Sequence, residues 1–497
     1  MLRVAWFTAW SYKIPLRSGV VSGACVRALS QPNALEQACW EIETFVGDAD
    51  LEELTQAAVH AVEQPFGVGL TFHYLRAWER HQLKPFDLFI YSVEDHPRCR
   101  FIAEYHHTMP GIVITHDINL NRLCWDRFAH TTAPTEINDE MDVLFGRHSA
   151  RLGDAFVRGW PLDAFDRVYR RGLAQLNRAH RLVLGSAVHS RSLSSGLKAR
   201  SRVLPIPLDC FSPPVDPLSA VRPSSYLVLD VSPSDTARAR GALIAAQRLW
   251  ERSVPIPLVW IVSHEEDIPH AEQLLNSSAK SCPALLERIS IRSPLTLHAR
   301  AQLIGGAALV ISPGGDEFRG TSFVVATALA SGRPVILPNI GIGEDLPSDL
   351  AIKLEPEHLG ARRVADSIMT AAAMAALIAD FESAERIGSN AKTWVSTDRS
   401  VAKFCVAFRA LVHAELPSLS TQRRITERRY LAAQALHVHS LMERFDDQDL
   451  WGSHQQATDD GLDSPQLFDR ILRPALRDFG WLDAISNERA QFDRAVG

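Results

Sequence analysis

The chain has 497 residues, of which 46% are apolar and 22% charged, with a formal net charge of −6. That length exceeds the roughly 250–300 residues one hydrophobic core covers, so two domains are expected. The composition argues against long disorder, the acidic balance against a general nucleic-acid binder, and no apolar run reaches the roughly 18 residues of a spanning helix.

The N-terminus, Met1 to Thr8, has no basic region followed by a long apolar stretch, so a cytoplasmic protein is expected. Seven cysteines lie far apart with no C-x-x-C pair, and read as buried or free thiols. Two Asp-x-Asp pairs, Asp48–Asp50 and Asp447–Asp449, lie in charged stretches away from any strand end and read as solvated, with no metal site expected.

The chain opens with an apolar strand at Val4 to Phe7, a loop from Pro15 to Gly23, and a helix through Leu29. Apolar runs at Leu88–Tyr91, Ile112–Thr115 and Leu182–Leu184 follow, separated by helix-length segments, which implies a parallel sheet. A proline-rich stretch from Pro205 to Pro223 then breaks the pattern. Beyond it the grammar repeats, with strands expected at Tyr226–Leu229, Leu258–Val262, Ile289–Ile291, Leu309–Ile311 and Val335–Leu337. From about Ser418 the sequence is charged and helical without strand signals. The expected architecture is therefore α/β: a Rossmann-like domain over 1–215, a second over 223–415, and a helical extension over 416–497.

In open parallel sheets, ligands bind at the carboxyl ends of strands, often over a helix N-terminus that favours anions. Two strand ends draw notice. After Ile311 comes a turn containing Gly314, Gly315, Asp316, Glu317, Arg319, Gly320, Thr321 and Ser322, followed by a helix. There Thr321 or Ser322 can cap and the helix end attracts phosphate. After Ile112–Thr115 come His116 and Asp117, a polar pair suited to a hydroxyl contact, with a loop-capping histidine and an N-cap aspartate as the plain alternative.

The order of these pieces, ending in Ala330-Ser331-Gly332-Arg333-Pro334-Val335-Ile336, resembles the signature of the retaining glycosyltransferase family usually numbered four, a family of GT-B fold. The N-terminal half agrees: Pro15-Leu16-Arg17-Ser18-Gly19-Val20 looks like the family's glycine loop, and Pro110 to Asp117 like its His-bearing strand end. The resemblance implies two domains facing across a cleft. It also implies transfer of a sugar from a nucleotide-sugar donor to a glycan, glycolipid or small-molecule acceptor, with no metal and no further cofactor. It gives His116, Asp117 and Glu317 to catalysis, and Ser18, Gly19, Arg240, Arg319, Gly320, Thr321 and Ser322 to the donor.

The pattern departs at three places. Arg319 and Thr327 stand where the family carries two glutamates, and Asp230 stands where it carries a phosphate-binding arginine, leaving Arg240 at the lysine position. Asp316 or Glu317 supplies the first acid if the loop is longer, while ribose recognition has no obvious carboxylate. These departures keep open a catalytically silent module that binds a sugar, nucleotide or partner protein. The arginines 423, 424, 428 and 429 keep open a peripheral contact at the inner membrane face, against a solvated helix.

Overall fold

The computed structural model describes residues 2–120, 179–213 and 226–419 apart from short gaps; residues 124–175, 214–225, 314–319, 355–362 and 422–497 are among those outside the described residues. Contacts group the chain into Met1–His107 with Gly111–Glu415, and Thr108–Pro110 with Leu416–Gly497. The first unit carries both sheets. In the second, residues 416–419 are helical, and nearly all of the 416–497 extension, with its arginine cluster, lies outside the described residues.

The first sheet contains β1 (Arg3–Thr8), β2 (Glu41–Val46), β3 (Leu70–His73), β4 (Leu88–Val93), β5 (Ile112–Thr115), β6 (Arg181–Leu184) and β7 (Ser201–Val203). Their order is β3-β2-β1-β4-β5-β6-β7, and every pairing is parallel. The second contains β8 (Leu227–Asp230), β9 (Leu258–Ile261), β10 (Ile289–Arg292), β11 (Leu309–Ile311), β12 (Val335–Pro338) and β13 (Ile352–Leu354). Its order is β10-β9-β8-β11-β12-β13, again parallel throughout. Both are doubly wound Rossmann-like sheets, whose order reverses between β1 and β4 and between β8 and β11.

Each strand is apolar because parallel sheets are covered on both faces. In the first sheet Phe7 stacks on Phe45 and on Tyr91, each with centroids 5.0 Å apart. In the second, Leu227, Leu229, Trp260 and Ile311 pack with the helix Thr236–Glu251 into one core. The indole of Trp260 is buried only because its N–H donates to Val231 O at 2.9 Å.

Four strands carry no clear apolar signal: β2, β3, β7 and β13. In β2 the charge of Glu43 is buried and met by Arg3 and Arg80, so a core strand contains a residue that reads as surface. The segment expected as a loop from Pro15 to Gly23 is also different, since a helix spans Arg17–Ser30. Gly19 is used there for closeness: a Cβ on it would sit 2.6 Å from Ala9 O, so the helix lies against the β1 loop as no other residue allows.

The chain passes from the first sheet to the second through residues 204–213, and returns near Arg399. Leu208 N donates to Arg399 O at 2.7 Å, and Val401 N to Asp209 at 3.0 Å. The helical residues 401–415 then pack on the first sheet's layer. Phe408 meets Trp6 edge-on at 6.2 Å, Arg409 donates to Leu29 O at 3.0 Å, and Arg181 pairs with Glu415 at 2.6 Å.

Candidate functional site

Loops from the carboxyl ends of the two sheets meet, and the meeting point is built around Arg17. The helix Arg17–Ser30 starts after β1, and its first side chain reaches Glu94 beyond β4 at 3.1 Å and Asp117 beyond β5. Its third arm, Nη1, donates to Thr321 O at 3.3 Å on the other sheet's loop. Burial works against this charge, but the carboxylates of Asp117 and Glu94 outweigh it and hold Arg17 more firmly protonated than usual. Burial raises the Glu94 carboxyl above its ordinary range, with Arg17 pulling it back.

Asp117 is fully buried and saturated. One oxygen accepts from Arg17 and from Asp95 N at 2.9 Å, and the other from Gly320 N at 2.8 Å. It is therefore neither a solvated loop residue nor a simple helix cap. Ser18 is spoken for as well, its hydroxyl donating to Glu94 at 3.0 Å, while Gly19 is packed against Ala9.

His116 lies beside this cluster with Nε2 3.4 Å from Ser92 Oγ and its backbone N–H on Val93 O at 2.9 Å. Burial, then the charge of Arg17, depresses the imidazole to about 3, so the ring is neutral at physiological pH. A neutral imidazole can give or take a hydrogen bond from a hydroxyl and does not act as a fixed cation. Gly320 is obligatory opposite it: a Cβ there would lie 2.2 Å from His116 O. Arg17, His116, Gly320 and Thr321 line a cavity of about 30 Å³ with Ser186, His189 and Arg399.

On the second sheet the helix Phe323–Ala330 begins with Ser322 as N-cap, its hydroxyl accepting from Val325 N at 3.1 Å and donating to Asp230 at 3.0 Å. Ser312, at the end of β11, donates to the same Asp230 oxygen at 3.1 Å. Burial raises Asp230, and the two hydroxyls and Arg300 oppose the shift. Arg300 itself is only 1% exposed, donates to Val262 O at 3.4 Å, and its Nε is without a hydrogen-bond partner.

Of the residues singled out from sequence, His116, Asp117, Ser18, Gly19, Gly320 and Thr321 come together around Arg17, and Ser322 lies next along the chain. Arg240 sits exposed in the helix Thr236–Glu251 with no contact recorded to this cluster, and Arg238 pairs with Asp235 at 2.9 Å. Glu317, Arg319 and Asp316 lie outside the described residues. Asp50, expected in solvent, is buried against Arg98 at 2.9 Å, because that arginine ties the loop after β1 to two acids. Arg17 and Glu94 were missed as functional candidates. The signal available was their position at strand ends flanking the β1/β4 reversal.

No family model matches the chain, and no curated protein is similar to it in sequence. Solved structures are similar in fold. HepE of Anabaena in complex with UDP and glucose has 12% identity over 83% of this chain and 100% of its own, with a TM-score of 0.52. HepE with UDP-glucose gives 13%, 83%, 100% and 0.52. Sucrose-phosphate synthase from Thermosynechococcus elongatus gives 14% identity over 84% and 100%, also at 0.52. The fold is thus the two-domain GT-B arrangement of nucleotide-sugar glycosyltransferases and related enzymes. Among the described residues, no helix is long and apolar enough to cross a membrane.

Proposed function

We propose that the chain is a glycosyltransferase of the family-four kind, moving a sugar from a nucleotide-sugar donor to a glycan, glycolipid or small-molecule acceptor with retention and without a metal. The observation that carries this reading is the meeting of His116 and Asp117 with Gly320 and Thr321, which joins the end of β5 to the loop leading into the helix Phe323–Ala330. The GT-B neighbours that hold UDP and UDP-glucose support it.

In this reading the donor lies at the β8/β11 reversal and the acceptor against the first domain. Neutral His116 meets a hydroxyl of the transferred sugar, Asp117, fixed by Arg17, holds Gly320, and Glu317 serves as the catalytic acid. Departure of the nucleoside diphosphate builds negative charge, met by the N-terminal end of the helix Phe323–Ala330 and by Arg240 and Arg319. Closure of the cleft over bound donor would exclude water before transfer.

A second reading is favoured by Asp230 and by the exposed Arg240: a silent GT-B module that binds ligand without transfer. A thermal-shift and hydrolysis screen against UDP-, GDP-, dTDP- and ADP-sugars, repeated with His116→Ala and Arg240→Ala, separates them. Stabilisation with slow sugar release, both lost in the variants, is expected of the transferase. Stabilisation without release favours the silent module, and no shift with any nucleotide overturns the donor reading.

A further inference from the structure

Arg399 is a buried cation that, among the described residues, no carboxylate pairs with. It follows the helix Phe381–Asp398, where the chain returns from the second sheet to the first, and is 7% exposed. Its Nη1 donates to Gly185 O, just past β6, at 3.3 Å and to Ile206 O, in the crossover between the sheets, at 3.5 Å. The guanidinium lies over the Trp394 ring, 5.0 Å from its centroid. Nη2 and Nε take no part in these bonds, and neither is sealed from water.

Two acids act on this charge, and both are engaged elsewhere. Asp345 accepts from the Ser186 hydroxyl and from Ala187 N at 3.0 Å, and Asp398 accepts from Lys403 at 2.6 Å. Burial pulls Arg399 below its ordinary value, against the charges of Asp345 and Asp398. A guanidinium taken out of water without a paired acid is costly to keep, and an anion from outside relieves that cost. Held by one arm and one face, it leaves a fork of N–H groups that suits a carboxylate or phosphate bidentately.

Arg399 lines the cavity described above, with Gly185, Ser186 and His116 from the first sheet's strand ends and Gly320 and Thr321 from the second sheet's loop. The cavity's other arginine, Arg17, is already matched by Glu94 and Asp117. The charge left over is that of Arg399, at the end of β6, on the first domain's side. Resting on the transferase reading above, we infer that the acceptor is acidic and that Arg399 receives its carboxylate or phosphate. Neutral His116 lines the same cavity, so an acid anchored on Arg399 places the acceptor beside the transferred sugar.

The test is calorimetric titration of the full chain, without nucleotide, with glucose, glucose-6-phosphate, glucuronate and inorganic phosphate. Wild-type protein is expected to bind at least one acidic sugar about tenfold or more tightly than glucose, since a charge-assisted bidentate contact is among the strong ones. The phosphorylated and carboxylated arms tell the two acids apart. Arg399→Gln keeps an amide donor without the charge, and is expected to bind all three sugars alike. Arg399→Lys, which keeps the charge without the fork, is expected to fall between and serves if the first variant does not fold. No preference for either acid in wild type, or the full preference in a folded variant, overturns the inference. Binding of inorganic phosphate with no preference among the sugars also overturns it. Loss of the preference when UDP is present moves the arginine to the donor's phosphates, with the same consequence. UDP-glucose titrated into the same preparation tests the donor reading separately: a preference for acids in a chain that binds no nucleotide leaves Arg399 its anion and overturns the transferase.

Discussion

The carboxylate of Asp117 accepts the backbone N–H of Gly320 at 2.8 Å across 203 positions of sequence, which ties the end of β5 to the loop of the other sheet. Arg17 braces the same carboxylate while donating to Thr321 O at 3.3 Å. The two domains are therefore held by backbone groups of a glycine loop gripped by a charged cluster.

That cluster has one cation and two acids, so its members are not equivalent. Arg17→Met leaves two buried carboxylates unmatched and is expected to cost about 3–5 kcal/mol. Asp117→Asn leaves a balanced Arg17–Glu94 pair but offers one oxygen to three donors, and should cost about 1–3 kcal/mol, less than Arg17→Met. Denaturant unfolding of both variants checks the order; equal losses would show that the charge balance is not what matters.

Gly320→Ala places a methyl where His116 O already stands, 2.2 Å from the new Cβ. The loop must withdraw, so small-angle scattering should report a larger radius of gyration and donor titration a weaker affinity. Identical scattering from the two proteins would mean that the loop has room the contact denies.

His116 is depressed from 6.5 to about 3 by burial and by Arg17. The unfolded chain takes up this proton before the folded one does, so the folded state loses up to about 1.4 kcal/mol per pH unit as pH falls from 6.5 toward 3. His116→Gln should flatten the stability profile in that window and leave the slope above pH 7 unchanged. A parallel profile in the variant would place the imidazole in contact with water.

Ser322→Ala removes the cap of the helix Phe323–Ala330 and one of two bonds to Asp230. About 1–2 kcal/mol of stability should go with it. Arg240→Ala, by contrast, should stay within about 0.5 kcal/mol, since the side chain is exposed. Thermal melts of the pair give the comparison directly.

Much of the site was legible because strand ends are local features. Ile112–Thr115 is an apolar run, so His116 and Asp117 are read as residues just past it. Gly332 is legible for a similar reason. It takes φ of +71°, and Arg333 N returns to Ala328 O at 2.8 Å, closing the helix as a glycine after a helix end does.

What needed the tertiary structure was every relation between distant segments of the chain. Arg17 reads as one arginine among many until folding sets it against Glu94 and Asp117; Glu43 reads as surface until Arg3 and Arg80 close over it in a buried strand. Asp230 reads as a defect in a phosphate site until Ser312, Ser322 and Arg300 surround it. By itself the sequence determined two parallel α/β halves and the strand ends that carry their loops, since hydrophobic period and turn residues act over a few positions. Only the packed structure decided which charges meet, because a buried charge is stable only beside a partner, and that partner comes from wherever the fold brings it.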